Sequence, residues 1–156
     1  MRIWHVELIP FLPKGQLLSQ KRECDLMFKD YLEGKKTNHI LINYVWEYDI
    51  EHLVKYYVLL EREFTKRGYK FKRNYVDTII FEITCKKGKF ETFGLMPFFM
   101  HHTNLYLLTC FWNLREKYYA HQKDFSSSEY QALYKYVDEA TNKSLSKLEK
   151  HLDQYL

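Results

Sequence analysis

The sequence predicts a mainly α protein, a single compact helical domain over residues 1–156, with a short β-hairpin near residues 78–93. Three observations predict it. Apolar residues recur at three-to-four spacing through most of the chain, the repeat of one helix face. The 5 glycines stand singly, and two of them, Gly34 and Gly68, fall where such stretches end. Apolar residues make up 46% of the chain, enough for one sizeable core at this length.

The elements follow in order. Met1–Ile9 is short and partly apolar, and Pro10 and Pro13 end it. A helix is expected from Lys14 to Leu32, with Leu17, Leu18, Cys24, Met27, Phe28 and Tyr31 as a ragged apolar side. The run NHILINYVW reads equally as a short helix or a buried strand. Asp49 is a good N-cap for the clearest helix, Ile50 to Arg67, with Leu53, Val54, Tyr57, Leu60 and Phe64 at helical spacing. TIIFEITC is rich in β-branched residues, CKKGKF resembles a turn and ETF continues it, which is the basis of the hairpin expectation. Thr103 to His121 reads as a helix, and Ser126 with Glu129 forms a capping box that opens another. Residues 122–156 form a helical C-terminal extension whose last stretch places Leu145, Leu148, Leu152 and Tyr155 on one face.

Composition excludes several classes. No apolar run approaches the roughly 20 residues of a membrane helix, and the interrupted N-terminus is no signal peptide, so a cytoplasmic protein is expected. The 3 cysteines are far apart and form no C-x-x-C, as in reduced thiols. Neighbouring His101 and His102 would diverge by about 100° on a helix, and no H-x-x-x-H, phosphate-binding glycine loop or nucleophile elbow occurs. No metal and no cofactor is expected. The net charge of +4 is mild, but Lys66, Arg67, Lys70, Lys72, Arg73, Lys86, Lys87 and Lys89 crowd one segment and permit a polyanionic partner.

One short stretch raises a sharper question. In QLLSQKRECD, Gln16 to Asp25, Glu23 directly follows Lys21 and Arg22, while Gln16, Ser19 and Glu23 share one helix stripe. A solvated helix face explains this, and so does a carboxylate working on a bound polyanion. The start MRIWHVELIP…QLLSQKRE resembles the phage-type pyrimidine-dimer DNA glycosylase family, most closely its bacterial branch. YDIEHLVKYYVLLEREFTKRGYKF is similar to that family's long central helix and NLREKYY to its later one, so the resemblance covers residues 1–121 in three blocks.

The resemblance implies a DNA glycosylase with AP lyase activity. Such an enzyme cleaves the N-glycosyl bond of a damaged base through a Schiff base on the N-terminal amine, then nicks the strand by β-elimination. Carried across, the catalytic groups are the amine of Met1 and the carboxylate of Glu23. Arg2, Arg22 and Lys117 match DNA-contacting cations, and His5, Gln16 and Ser19 are candidate site-lining residues. Damaged or abasic double-stranded DNA is the implied partner of a monomer. The family's nucleophile is a threonine exposed by loss of Met. Here Met1 itself precedes Arg-Ile, and a Met before Arg is usually retained. Family arginines are replaced by Leu26 and Asn113, and a first-helix histidine by Gln16. These losses keep a second reading open, a non-catalytic nucleic-acid-binding module on the same scaffold.

Overall fold

Pro13, extended at φ −61° and ψ 155°, sets the start of the first helix, α1 (Lys14–Leu32). A proline has no capping side chain, and Asp124, from a distant loop, supplies one by accepting the Gly15 N–H. Glycine at residue 15 leaves room for this approach, since a Cβ there would lie 2.8 Å from the Asp124 carboxylate and push that side chain back. The computed structural model describes residues 1–90, 94, 96–122 and 124–152.

Helix α2 (Ile50–Lys66) is the centre of the core, with Leu53, Val54, Tyr56, Tyr57, Leu60 and Phe64 all buried. Asp49 holds the N-cap position but makes no capping hydrogen bond; its carboxylate lies 3.8 Å from Lys87 instead. Gly68 ends the helix at φ +71°, where a residue with a Cβ would be strained. Against α2 pack α1 and α3 (Val76–Lys87). A second group, α4 (Asn104–Tyr119), α5 (Ser127–Ala140) and α6 (Ser144–Leu152), follows in sequence, with α5 resting on both α4 and α6. Thr103 caps α4, and Ser126 and Glu129 complete the expected capping box on α5, which stabilises it by about 1 kcal/mol. The fold is therefore mainly α and compact, and no helix among the described residues is long and apolar enough to cross a membrane.

One local expectation changes and one open reading is resolved. The hairpin expected near residues 78–93 is helical over most of that span: α3 runs to Lys87, and Gly88, at φ +77°, is its C-terminal stop, not a hairpin turn. Val76, Ile79 and Ile83 are buried at helical spacing, so packing against α1 and α2 overrides the β-branched composition. Residues 91–93, which the hairpin would have included, lie outside the described residues. NHILINYVW is a turn followed by a 3₁₀ helix, Asn43–Glu47, anchored by buried Ile42 and Val45. On the last helix Leu145 is buried and Leu148 half-exposed, while Tyr155 lies outside the described residues.

The chain start decides what the helices build. Residues 2–5 carry no regular structure, yet Ile3, Trp4 and His5 are buried. A buried extended segment without a strand partner must satisfy its backbone some other way. Here side chains from three helices and from the loop before α4 do it. The Arg2 N–H donates to Glu23 Oε2 at 3.2 Å and the Trp4 N–H to Gln20 Oε1 at 2.8 Å. The Ile3 carbonyl accepts from Tyr106 and the Trp4 carbonyl from Tyr56 at 2.9 Å. The Val6 N–H donates to His102 Nδ1 at 3.0 Å, where a 3₁₀ helix, Val6–Phe11, begins.

Candidate active site

The pinned segment delivers Met1 and Arg2 to the rim of a polar cleft of about 260 Å³. Its walls are Met1, Arg2, Trp4, Gln16, Ser19, Glu23, Leu41, Asn113 and Lys117. The stripe on α1 explains three of these: Gln16, Ser19 and Glu23 face the cleft together, while Gln20 and Cys24, one residue past Ser19 and Glu23, face the core. Asn113 and Lys117, one turn apart, form the opposite wall from α4.

Glu23 enters no ion pair among the described residues. Its Oε2 accepts the Arg2 N–H and, at 3.4 Å, the Gln20 amide. Gln20 is itself 1% exposed and held from the core, since its Oε1 accepts from both Trp4 N–H and the Tyr56 hydroxyl. The carboxylate is thus tied through one buried amide to α2. Arg2 reaches across the cleft mouth to Asn113 Oδ1 at 3.4 Å and lies 5.9 Å from the centre of the Trp4 ring. Gln16 donates to Gln122 at 3.0 Å, and Gln122 in turn donates to Asp124, which joins the cleft to the cap of α1.

The remaining candidates fall elsewhere. Arg22 is exposed on α1 and does not line the cleft. His5 is in the core, 2% exposed and stacked 5.0 Å from His102, so it does not line the site either. Burial holds both imidazoles neutral: His5 lies below its usual value, and His102 is pushed down to about 3 by burial and then by its two histidine neighbours. With Nδ1 accepting from Val6, His102 keeps its proton on Nε2 for the Tyr44 hydroxyl at 3.0 Å. Lys21 is a structural cation, 2.5 Å from Asp25 and 13% exposed. The crowded basic segment is partly consumed too. Arg67 binds Glu63 and the Leu12 and Pro10 carbonyls, Arg73 binds Glu61 and Asp77, and Lys87 binds Glu51. Among the described residues no group of three or more His, Cys, Asp or Glu side chains is placed to hold a metal ion.

Asn113, Gln20 and Leu41 were not expected at the site. Asn113 stands out in the sequence only as a missing arginine. Gln20 carries no signal of its own, and Leu41 belongs to a stretch that reads as core.

The fold and cleft define a class: a helical protein whose polar site is assembled around its own first residues. Comparison with known proteins makes this specific. Residues 1–77 match the model of the family described as pyrimidine dimer DNA glycosylase. Over those residues, just under half of its length, the chain is similar to a family of DNA repair glycosylases, in keeping with the resemblance in the sequence. The match takes in α1, α2 and every cleft residue except Asn113 and Lys117. No curated protein and no solved structure matches the chain.

Proposed function

We propose that the protein is a DNA glycosylase with AP lyase activity that uses the amine of Met1 as nucleophile and Glu23 as its essential carboxylate. The observation that supports this is the sharing of one cleft by Met1 and Glu23, with the Glu23 carboxylate hydrogen-bonded to the very next peptide N–H. The cations Arg2 and Lys117 line the same cleft, as a phosphate-bearing substrate requires.

The chemistry runs as follows. An α-amine has a reference pKa of about 7.7–8.0, so a useful fraction is unprotonated near neutrality. Its lone pair attacks C1′ of the damaged nucleotide, the glycosyl bond breaks, and its electrons leave with the base, which takes up a proton. The sugar gains oxocarbenium character as that bond opens, and the Glu23 carboxylate stabilises the charge. Loss of the amine proton and opening of the sugar ring leave a protonated Schiff base on Met1. Glu23 then removes a proton from C2′, the 3′ phosphate departs with the C3′–O electrons, and water releases the product from the amine.

Borohydride reduction tests the reading. A covalent protein–DNA adduct is expected on abasic-site DNA, with the adduct mass on the peptide that begins at Met1. Acetylation of that amine is expected to abolish trapping, and trapping that survives acetylation would overturn the role of Met1. The rival reading, a binding module without chemistry, draws on Leu26 and Asn113, which stand where family members have arginine. Salt-dependent duplex binding with neither trapping nor nicking would favour it.

A further inference from the structure

One rim of the cleft is apolar. Leu41 lines it, and Ile40, its neighbour in the chain, is 87% exposed; Leu26, three residues beyond Glu23 on α1 and outside the cleft lining, is 53% exposed. Ile40 is the most exposed large apolar side chain among the described residues. A lone surface isoleucine needs no explanation. Ile40 differs in two ways: its chain neighbour Leu41 lines a polar cleft, and its turn is braced. The His39 N–H donates to Asn43 Oδ1 at 2.9 Å, Asn43 Nδ2 to Asn38 at 3.1 Å, and the Leu41 N–H to His39 Nδ1 at 3.3 Å. The Ile42 N–H closes on the His39 carbonyl at 2.9 Å, and Ile42 itself is fully buried as an anchor. Trp46 Nε1 donates to the Thr37 carbonyl at 2.9 Å, and the Thr37 hydroxyl donates to Asp30 on α1, which fixes the base of the turn to the helix that carries Glu23. The fold therefore holds a hydrophobic side chain out in water on a rigid mount at the mouth of the site.

The proposed chemistry supplies a use for it. C1′ of a nucleotide stacked within a duplex is not open to an amine at the rim of a protein cleft. The nucleotide must be displaced, and unstacking costs a few kcal/mol per base step. Proteins that hold such a distortion insert an apolar side chain into the opened step. We propose that Ile40, backed by Leu41, is a wedge that enters the base stack beside the cleft and fills the space left when the target nucleotide is displaced. This rests on the reading that duplex DNA docks on this cleft. Ile40 is then a positioning residue, which touches neighbouring bases and not the reacting atoms. It gains most where the DNA is paired and nothing where it is already single-stranded.

The test uses the full chain and a duplex carrying a tetrahydrofuran abasic analogue, which cannot form a Schiff base, next to 2-aminopurine. Wild type is expected to raise the 2-aminopurine emission on binding. Ile40→Ala is expected to bind but give less than about a third of that rise, and Ile40→Phe to keep it. In borohydride trapping on true abasic sites, Ile40→Ala should lose about tenfold in rate on duplex and stay within about twofold on single strands. Its melting temperature should match wild type, because the side chain touches little of the fold. An Ile40→Ala protein with an undiminished emission rise, or with equal losses on duplex and single strand, overturns the wedge. So does a change from dimer to monomer on Ile40→Ala, which would make the patch a protein contact. Wild type that raises the emission yet never traps would sink the Met1 chemistry and leave the wedge standing. Wild type that does not bind the duplex would sink both.

Discussion

Asp25 and Glu23 stand two residues apart on α1, about 200° around the helix from one another, and their surroundings differ. Asp25 is 8% exposed and saturated: Lys21 pairs with it at 2.5 Å, and Tyr57 and Asn74 each donate to it at 2.8 Å. Burial, and then the Asp25 carboxylate, pushes the Tyr57 hydroxyl up, so it remains a donor. Glu23 faces a cleft, with only a backbone N–H and a glutamine amide to orient it. The comparison teaches that the charge-rich stretch Gln16–Asp25 is not one uniform solvated face, because its charges sit in different surroundings from residue to residue. Lys21 and Asp25 are used up in joining α1 to α2 and to the loop before α3, and Glu23 is the carboxylate left facing the cleft.

Substitutions can break this contrast. Glu23→Gln keeps an oxygen that can accept the Arg2 N–H, so stability should change by less than about 1 kcal/mol, while trapping and nicking should fall by about a thousandfold. Asp25→Asn should reverse the pattern: it leaves Lys21 without its counter-charge at a site mostly shut off from water, which costs about 3 kcal/mol in urea unfolding, with activity of the folded protein retained. If Asp25→Asn instead abolishes activity at full stability, the division of labour on α1 is wrong. Gln20→Leu should cost about 2 kcal/mol by stranding the buried Trp4 N–H, and should also lower kcat, because Glu23 loses its brace. Stability should also depend on pH through His102. The unfolded imidazole takes a proton below about 6.5 and the folded one only near 3. Stability is therefore full above about pH 6.5 and falls by about 1.4 kcal/mol per unit as the pH drops below that. His102→Gln should flatten that slope in urea titrations at pH 7, 6 and 5. The smallest effect expected is Lys117→Ala, which should reduce the salt slope of duplex binding by about 1.

Local patterns made much of this legible. The repeat on α1 and α2, the glycine after α2, the capping box on α5 and the stripe Gln16–Ser19–Glu23 all follow from spacing within one element. What stayed hidden depends on partners far away in sequence. α3 is made helical by the surfaces of α1 and α2 that it covers, and its own composition points to a strand. His5 looks like a site residue because of its nearness to Met1, but its ring belongs with His102 in the core. Asn113 reads as a lost cation, whereas in the fold its amide oxygen holds Arg2 from across the cleft.

The bond from Tyr106 to the Ile3 carbonyl spans 103 positions, and that from the Val6 N–H to His102 spans 96. Residues emerging early from the ribosome therefore cannot take their final positions until most of the polypeptide has been synthesised. Closing so long a loop brings no reward before α4 docks. Docking of α4 therefore completes two things at once, the anchoring of the segment around Ile3 and the cleft wall that carries Asn113 and Lys117.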